Sequence, residues 1–517
     1  MSDFSAVYVQ EPDLIFRDSK EEKDPRKGLS TFGPYNYPGE KSSIDVIRIT
    51  LIADRSMLGK AKQIIEMIKK PVPCHEHNKW LYSDFPGISK NTKFMCDVEV
   101  VDALQQTILQ SEIDKIVKVI NVNERIGTAV DLYMEKIKNV LLDDNPPNVI
   151  LCCIPKPIEQ YCGISKFTRG AKTPKATPLE KQLMAFRNSN QKFLSDWGVS
   201  VEVEEDEPPP KGYDFRNALK GRSMALKNAR PIQLLRESTA DAMLNYADLI
   251  KDKKTFRNRR QDPASFAWNF STALFYKANG KPWRLAKLRQ DTCYVGISFY
   301  KDKLMLNENI ETSMAQIFTH DGQGLVLRGS EVYVDKRTKE AHLTEQQAES
   351  LLDECIRKYE SRAMHAPARV VVHKSTTFNK AEVEGFGKAI KTAKRDFVAF
   401  SRRKGYRFMR KGSYPVLRGT LISMTDRMHL LYSSGYIPRI RTYPGHSIPQ
   451  PLLLIHEGDS EIKEIADEIL GLTKLNWNTT SFSTYLPITL EFSTEVGKIL
   501  SEAGPNIKLQ DHYRFYM

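Results

Sequence analysis

The chain has 517 residues, with 77 Lys and Arg against 64 Asp and Glu and a formal net charge of +13. That length allows about two to four domains with ample core, and the basic balance favours an anionic partner, nucleic acid first. No apolar run reaches the roughly 18 residues of a membrane-spanning helix, and MSDFSAVYVQEPDL lacks the basic and apolar regions of a signal peptide, so a cytosolic protein without a membrane partner is expected.

Seven cysteines stand at 74, 96, 152, 153, 162, 293 and 355, an odd number without a regular framework, which fits reduced thiols. Cys74-His75-Glu76-His77 offers metal-ligating types but lacks the second spaced pair of a structural zinc site.

Residues 1–45 are polar and turn-rich and predict an extended segment laid on a neighbouring domain. From 46 to 155 strands and helices alternate. VIRITLIA, CDVEVV and NVILCCIP read as strands. SMLGKAKQIIEMIKK, with Ser56 as N-cap, DALQQTILQSEIDKIVKVI and ERIGTAVDLYMEKIKNVLLDD read as amphipathic helices. This alternation predicts a doubly wound, largely parallel sheet, with ligands at the carboxyl ends of its strands. Residues 156–212, with TRGAKTPKATP and VEVEEDEPPPKG, read as an insertion in which VEVEE could form an edge strand.

From 213 the chain reads as a helix (YDFRNALKGRSMALKNA), a strand (PIQLL) and a helix (RESTADAMLNYADLIKDKK). A further helix, DPASFAWNFSTALFYKANG, has Asp262 as N-cap, Pro263 at its first position and Gly280 as a left-handed C-cap. CYVGISFY then predicts a strand buried on both faces. AQIFTH, GLVLRGS, EVYVD, ARVVVHKS, GTLISM, HLLYSS and PLLLIHE read as strands. LTEQQAESLLDECIRKYESR, NKAEVEGFGKAIKTAKRDF and EIKEIADEILGLTKL read as helices. Early strands followed by alternating elements fit a ribonuclease H-like fold.

The run YKANGKPWRLA (276–286), followed by YVGISFY, resembles the MID–PIWI junction of the Argonaute proteins, and DPRKGL…FGPY resembles the opening of their short prokaryotic members. The resemblance implies an α/β chain in three parts. These are an N-terminal extended segment (1–45), a Rossmann-like MID domain (46–284) with the insertion near 156–212, and a ribonuclease H-like PIWI domain (285–517).

In that family several polar and basic residues of MID grip the 5′-phosphate of a guide strand. Arg216, Lys220, Gln233 and Lys277 match the series, with Arg222 as an alternative second basic residue. Arg216 and Lys220 stand one helical turn apart, so both can face one phosphate. The resemblance also brings the C-terminal carboxylate, here that of Met517, to the pocket through a Mg²⁺ ion bridging it to the phosphate.

Members that cut nucleic acid carry carboxylates where this chain has Ser298, Ser375 and Ser483. A two-metal centre needs such carboxylates, so the PIWI domain is expected to be catalytically inactive. Asp302, Asp321 and His373 are the available substitutes, none at a matching position. The basic, aromatic-bearing stretches 251–260, 388–419 and 438–445 suit a nucleic-acid channel.

The short layout implies a partnership with an APAZ-containing effector of TIR, Sir2 or nuclease type. The chain would hold a small guide RNA, recognise target DNA, and switch the effector on in defence against plasmids or phage. Two alternatives stay open: a guide-directed endonuclease with other metal ligands, and a scaffold that binds nucleic acid weakly.

Overall fold

The computed structural model describes residues 5–36, 44–163, 214–249, 261–301, 310–319, 322–334, 340–401, 406–443, 448–503 and 510–517. Most of the insertion, the basic stretch 251–260, Asp302, Asp321 and Pro444-Gly445 lie outside these residues.

The N-terminal segment carries β1 (Ser5–Tyr8), β2 (Leu14–Ile15), β3 (Glu21–Glu22) and a helix, α1 (Pro25–Thr31). The turn-rich reading of this segment leaves out α1. Its signal is Asp24 followed by Pro25: the Asp24 carboxylate accepts the amides of Arg26 and Lys27, and proline suits the first helical position.

A Rossmann-like parallel sheet follows. Its strands are β4 (Val46–Asp54), β5 (Asp97–Val100), β6 (Gln106–Ile108), β7 (Val149–Ile154) and β8 (Ile232–Arg236). They run in the order β5-β4-β7-β8, with β6 extending along β4. Alternate residues serve opposite faces: Ile49, Leu51, Leu151 and Cys153 join one apolar cluster, while Ile52, Ile150 and Cys152 join another. The helices are α2 (Arg55–Lys69), α3 (Gln110–Lys118), α4 (Val122–Leu141), α5 (Lys156–Tyr161), α6 (Phe215–Met224), α7 (Glu237–Leu244), α8 (Tyr246–Leu249) and α9 (Pro263–Lys277).

Three local readings change here. The helix read from 102 begins only at Gln110, because Gln106–Ile108 pairs with Ile52–Asp54 as β6. The cap of α2 is Asp54, which accepts the amides of Ser56 and Met57, rather than Ser56. At the end of α9 the left-handed residue is Asn279 (φ 80°) and not Gly280.

After β9 (Arg284–Leu285), which pairs with β2, the chain builds a nine-stranded mixed sheet. Its strands are β10 (Thr292–Tyr300), β11 (Ile310–Phe318), β12 (Gly324–Tyr333), β13 (Arg369–Lys374), β14 (Lys394–Ser401), β15 (Thr420–Ser423), β16 (Met428–Leu431) and β17 (Leu452–Gly458), closed at one edge by β1. The order is β1-β15-β16-β17-β14-β13-β10-β11-β12, and β10, β13 and β14 run parallel. GLVLRGS and EVYVD form one strand, β12. KRDF belongs to β14, because α11 stops at Ile390.

Helices α10 (Glu345–Ala363) and α11 (Lys380–Ile390) cover one face of this sheet. The other face joins the core shared with the parallel sheet, through α12 (Ile462–Leu472), α13 (Ile488–Glu491) and α14 (Ser493–Glu502). Trp283 is fully buried in that shared core and donates its indole N–H to the Lys474 carbonyl at 2.9 Å. The α/β reading, a Rossmann-like unit followed by a ribonuclease H-like one, describes this architecture. Among the described residues no helix is long and apolar enough to cross a membrane.

Candidate anion-binding site

Three elements and the tail converge at the start of β8. Helix α6 starts at the Asp214 cap, whose side chain accepts the Asn217 amide. It presents Arg216 and then, one turn later, Lys220. Gly221 allows α14 to approach: a Cβ there would lie 3.0 Å from the Ile499 carbonyl oxygen. Strand β8 brings Gln233, in register with Leu151 of β7. Helix α9 ends on Lys277, with Asn279 turning the chain away. The tail packs inward, with Tyr513, Phe515, Tyr516 and Met517 all buried.

The structure brings Arg216, Lys220, Gln233, Lys277 and Met517 together. Lys220 is 2% exposed, and its Nζ donates to the backbone oxygens of Met517 and, at 3.3 Å, Tyr516. Lys277 is 3% exposed and donates to Oε1 of Gln233. Arg216 lies 3.4 Å from Glu495 on α14 and is about one-third exposed. Arg222, the alternative basic residue, turns the other way and pairs with Asp131 of α4 at 2.6 Å.

The electrostatics of this group are unusual. Neither Lys220 nor Lys277 pairs with a side-chain carboxylate among the described residues. Burial pushes the Lys220 ammonium well below its usual range, and the charges of Arg216 and Lys277 push it further, with Glu495 opposing. Burial, then Arg216, brings Lys277 down to about 7. A buried ammonium without a counter-charge is costly. An anion placed among these groups would gain several charge-assisted hydrogen bonds and offset that cost. Glu495 and Tyr516 were not foreseen from the sequence. Both come from the far end of the chain, and no local pattern connects them to α6.

The three serine positions are arranged differently. Ile297 of β10 pairs with Lys374 of β13, so Ser298 and Ser375 follow side by side at the ends of two parallel strands. Ser298 is 4% exposed, and its Oγ has no hydrogen-bond partner among the described residues. Ser375 is exposed. Ser483 is buried, likewise without a partner for its Oγ, in a segment anchored by Thr484 to Thr473 and by Thr480 to Asn269. Gly296 lets α13 close over this face: a Cβ there would lie 2.0 Å from the Thr489 carbonyl oxygen. His373 sits beneath the same helix, bonded to Thr489 Oγ1 at 2.8 Å, and burial pushes it down to about 3. Among the described residues no group of three or more His, Cys, Asp or Glu converges as a metal site would require. The cysteines are all free and buried, Cys74 included.

By sequence, no protein family profile and no curated protein matches this chain. By structure, Clostridium butyricum Argonaute bound to a guide DNA and a 19-mer target DNA matches at TM-score 0.60 and 14% identity, over 98% of this chain and 55% of that one. Drosophila Piwi matches at 0.59 and 11%, over 99% and 56%. Aquifex aeolicus Argonaute matches at 0.52 and 13%, over 99% and 57%. The chain thus spans about half the length of the solved structures it matches, and over that length it has an Argonaute-like fold.

Proposed function

We propose that this chain is a guide-holding subunit: it binds a small 5′-phosphorylated strand, a guide RNA, and recognises complementary target DNA. The carrying observation is the pair of buried lysine amines, Lys220 and Lys277, which converge with Arg216 and bond no side-chain carboxylate among the described residues. A terminal phosphate carries up to two charges and three acceptor oxygens, enough to engage all three cations and the Gln233 amide. An internal phosphodiester carries one charge and has chain on both sides, which this enclosed site disfavours. Part of the reading is a Mg²⁺ ion, which the Met517 and Tyr516 oxygens would help to hold near the phosphate. When bound, such an ion would neutralise oxygen charge. The lysine contacts described above do not depend on it.

Cutting is assigned elsewhere. Serine hydroxyls at 298, 375 and 483 are neutral and supply no charge to offset a divalent metal, so this chain is proposed to bind without cleaving. Output is then proposed to lie with an associated APAZ effector (TIR, Sir2 or nuclease) activated on target binding, in defence against plasmids or phage; the support is the resemblance of the DPRKGL…FGPY motif to short prokaryotic Argonautes. The test compares binding of one strand with a 5′-phosphate and with a 5′-hydroxyl. A preference of at least about tenfold for the phosphate is expected, because each hydrogen bond to a charged group contributes about 1.5–3 kcal/mol. Equal binding refutes the reading.

A further inference from the structure

Outside the lysine site, two exposed aromatic rings, Trp80 and Tyr414, stand near one exposed arginine, Arg441. Trp80, in the loop between α2 and β5, is 57% exposed, and the Arg441 guanidinium lies 4.5 Å from its ring centroid. Tyr414 is 53% exposed and stacks on Tyr436, with centroids 4.4 Å apart and planes 19° from parallel. Arg441 lies near both pairs, because Ile437 and Thr442 form an antiparallel bridge, with a backbone hydrogen bond of 2.8 Å, and Tyr436 and Arg441 directly precede the two bridged residues. Burial and the adjacent Tyr414 push the Tyr436 phenol up, and the charges of Arg441 and Arg410 oppose that. Trp80 and Tyr414 therefore belong to one patch, built by the first domain and the second.

The patch is both aromatic and cationic. Arg407, Arg410 and Lys411 are exposed, and neither they nor Arg441 makes an ion pair among the described residues. From 397 to 425 the chain has seven Lys and Arg and no Asp or Glu. Exposed aromatic rings are costly in water unless something covers them. Protein-docking surfaces share the Tyr, Trp and Arg but are depleted of Lys, whereas surfaces for single-stranded nucleic acid combine unpaired cations of both kinds with rings on which bases stack.

We propose that Trp80 and Tyr414 form a stacking platform for bases of a single-stranded nucleic acid, with Arg441, Arg410 and Lys411 on its phosphates. The platform reads no sequence, since every base has a stacking face. It adds to the function proposed above but is separable from it, because it needs no 5′-phosphate.

The test uses the full chain and oligothymidylate with a 5′-hydroxyl, which the lysine site cannot grip by a terminal phosphate. Trp80→Ala and Tyr414→Ala are each expected to weaken binding by about tenfold, from a stacking contribution of roughly 1–3 kcal/mol per base. Trp80→Phe should retain most of the affinity. Arg441→Ala should reduce the slope of log affinity against log salt by about 0.7. All four substitutions should leave the ratio of 5′-phosphate to 5′-hydroxyl affinity unchanged. Both side chains are exposed, so the variants should fold, which circular dichroism checks. Wild-type oligothymidylate affinity in the two alanine variants overturns the proposal, and accompanying loss of a co-purifying protein would reassign the patch to protein docking. A ratio near one in the wild type refutes the phosphate reading alone.

Discussion

The lysine site and the serine strand ends are both polar places in a shared core, and they carry opposite electrostatic problems. At Lys220 and Lys277 two potential charges are buried with no side-chain carboxylate bonded to either among the described residues, and the Met517 oxygen meets only Lys220, so an anion would relieve the cost of charging them. At Ser298 and Ser483 hydroxyls are buried without partners, and there is no charge to relieve. In the proposed function the first region is a place for a ligand of opposite sign. In the second, among the described residues, no group of three or more His, Cys, Asp or Glu converges as a metal site would require. This contrast in buried charge is what supports the proposal that the chain binds without cutting.

The largest expected effect breaks the first half of that contrast. Combining Lys220→Ala with Lys277→Ala should abolish the preference for a 5′-phosphate, a loss of about 100-fold or more in affinity for the phosphorylated strand. Binding of a 5′-hydroxyl strand should change little. Equilibrium binding of both strands checks this.

A pH series sharpens it. Lys277 is held at about 7 in the empty site, by burial first and Arg216 second. A bound phosphate favours the protonated amine and raises that value, so above about pH 7 binding takes up a proton. Affinity should fall as pH rises from 7, by at most tenfold per unit. It should also fall below about pH 6, where the phosphate itself gains a proton. Lys277→Arg, which stays charged, should flatten the alkaline limb.

The second half of the contrast is probed by Ser298→Asp. A carboxylate at a 4% exposed position without a partner should destabilise the protein by about 1–3 kcal/mol, read as a lower Tm. If Mn²⁺ fully restores the Tm, the strand ends still form a metal cradle and the contrast is weaker than drawn. The smallest effect is expected at Arg222→Ala. This residue pairs with Asp131 on an exposed flank, so 5′-phosphate binding should stay within about twofold of wild type.

Much of the frame is legible in the sequence because its signals are local. The apolar run of β10 predicts a strand buried on both faces, and Cys293 and Tyr294 do serve two different cores. Proline after Asp262 marks the start of α9, and Asp262 does cap it. Local signals fail where tertiary pairing decides. Lys394 and Arg395 continue the charge pattern of α11, yet they open β14 because they pair with Arg369 and Val370 of β13, with β17 joining from Asp396. Gln106–Ile108 leaves its helix for the end of β4 in the same way. The basic members of the lysine site stand in order along the chain. Glu495 and the Trp80–Arg441 pair join residues hundreds of positions apart, and only the fold places them together.

The most direct test of the account is to purify the chain from cells that make it and type the 5′ ends of the nucleic acid that comes with it. Short strands ending in 5′-monophosphate, lost from the Lys220→Ala/Lys277→Ala variant, are predicted. Nucleic acid with mixed or 5′-hydroxyl ends, retained equally by that variant, would contradict the account.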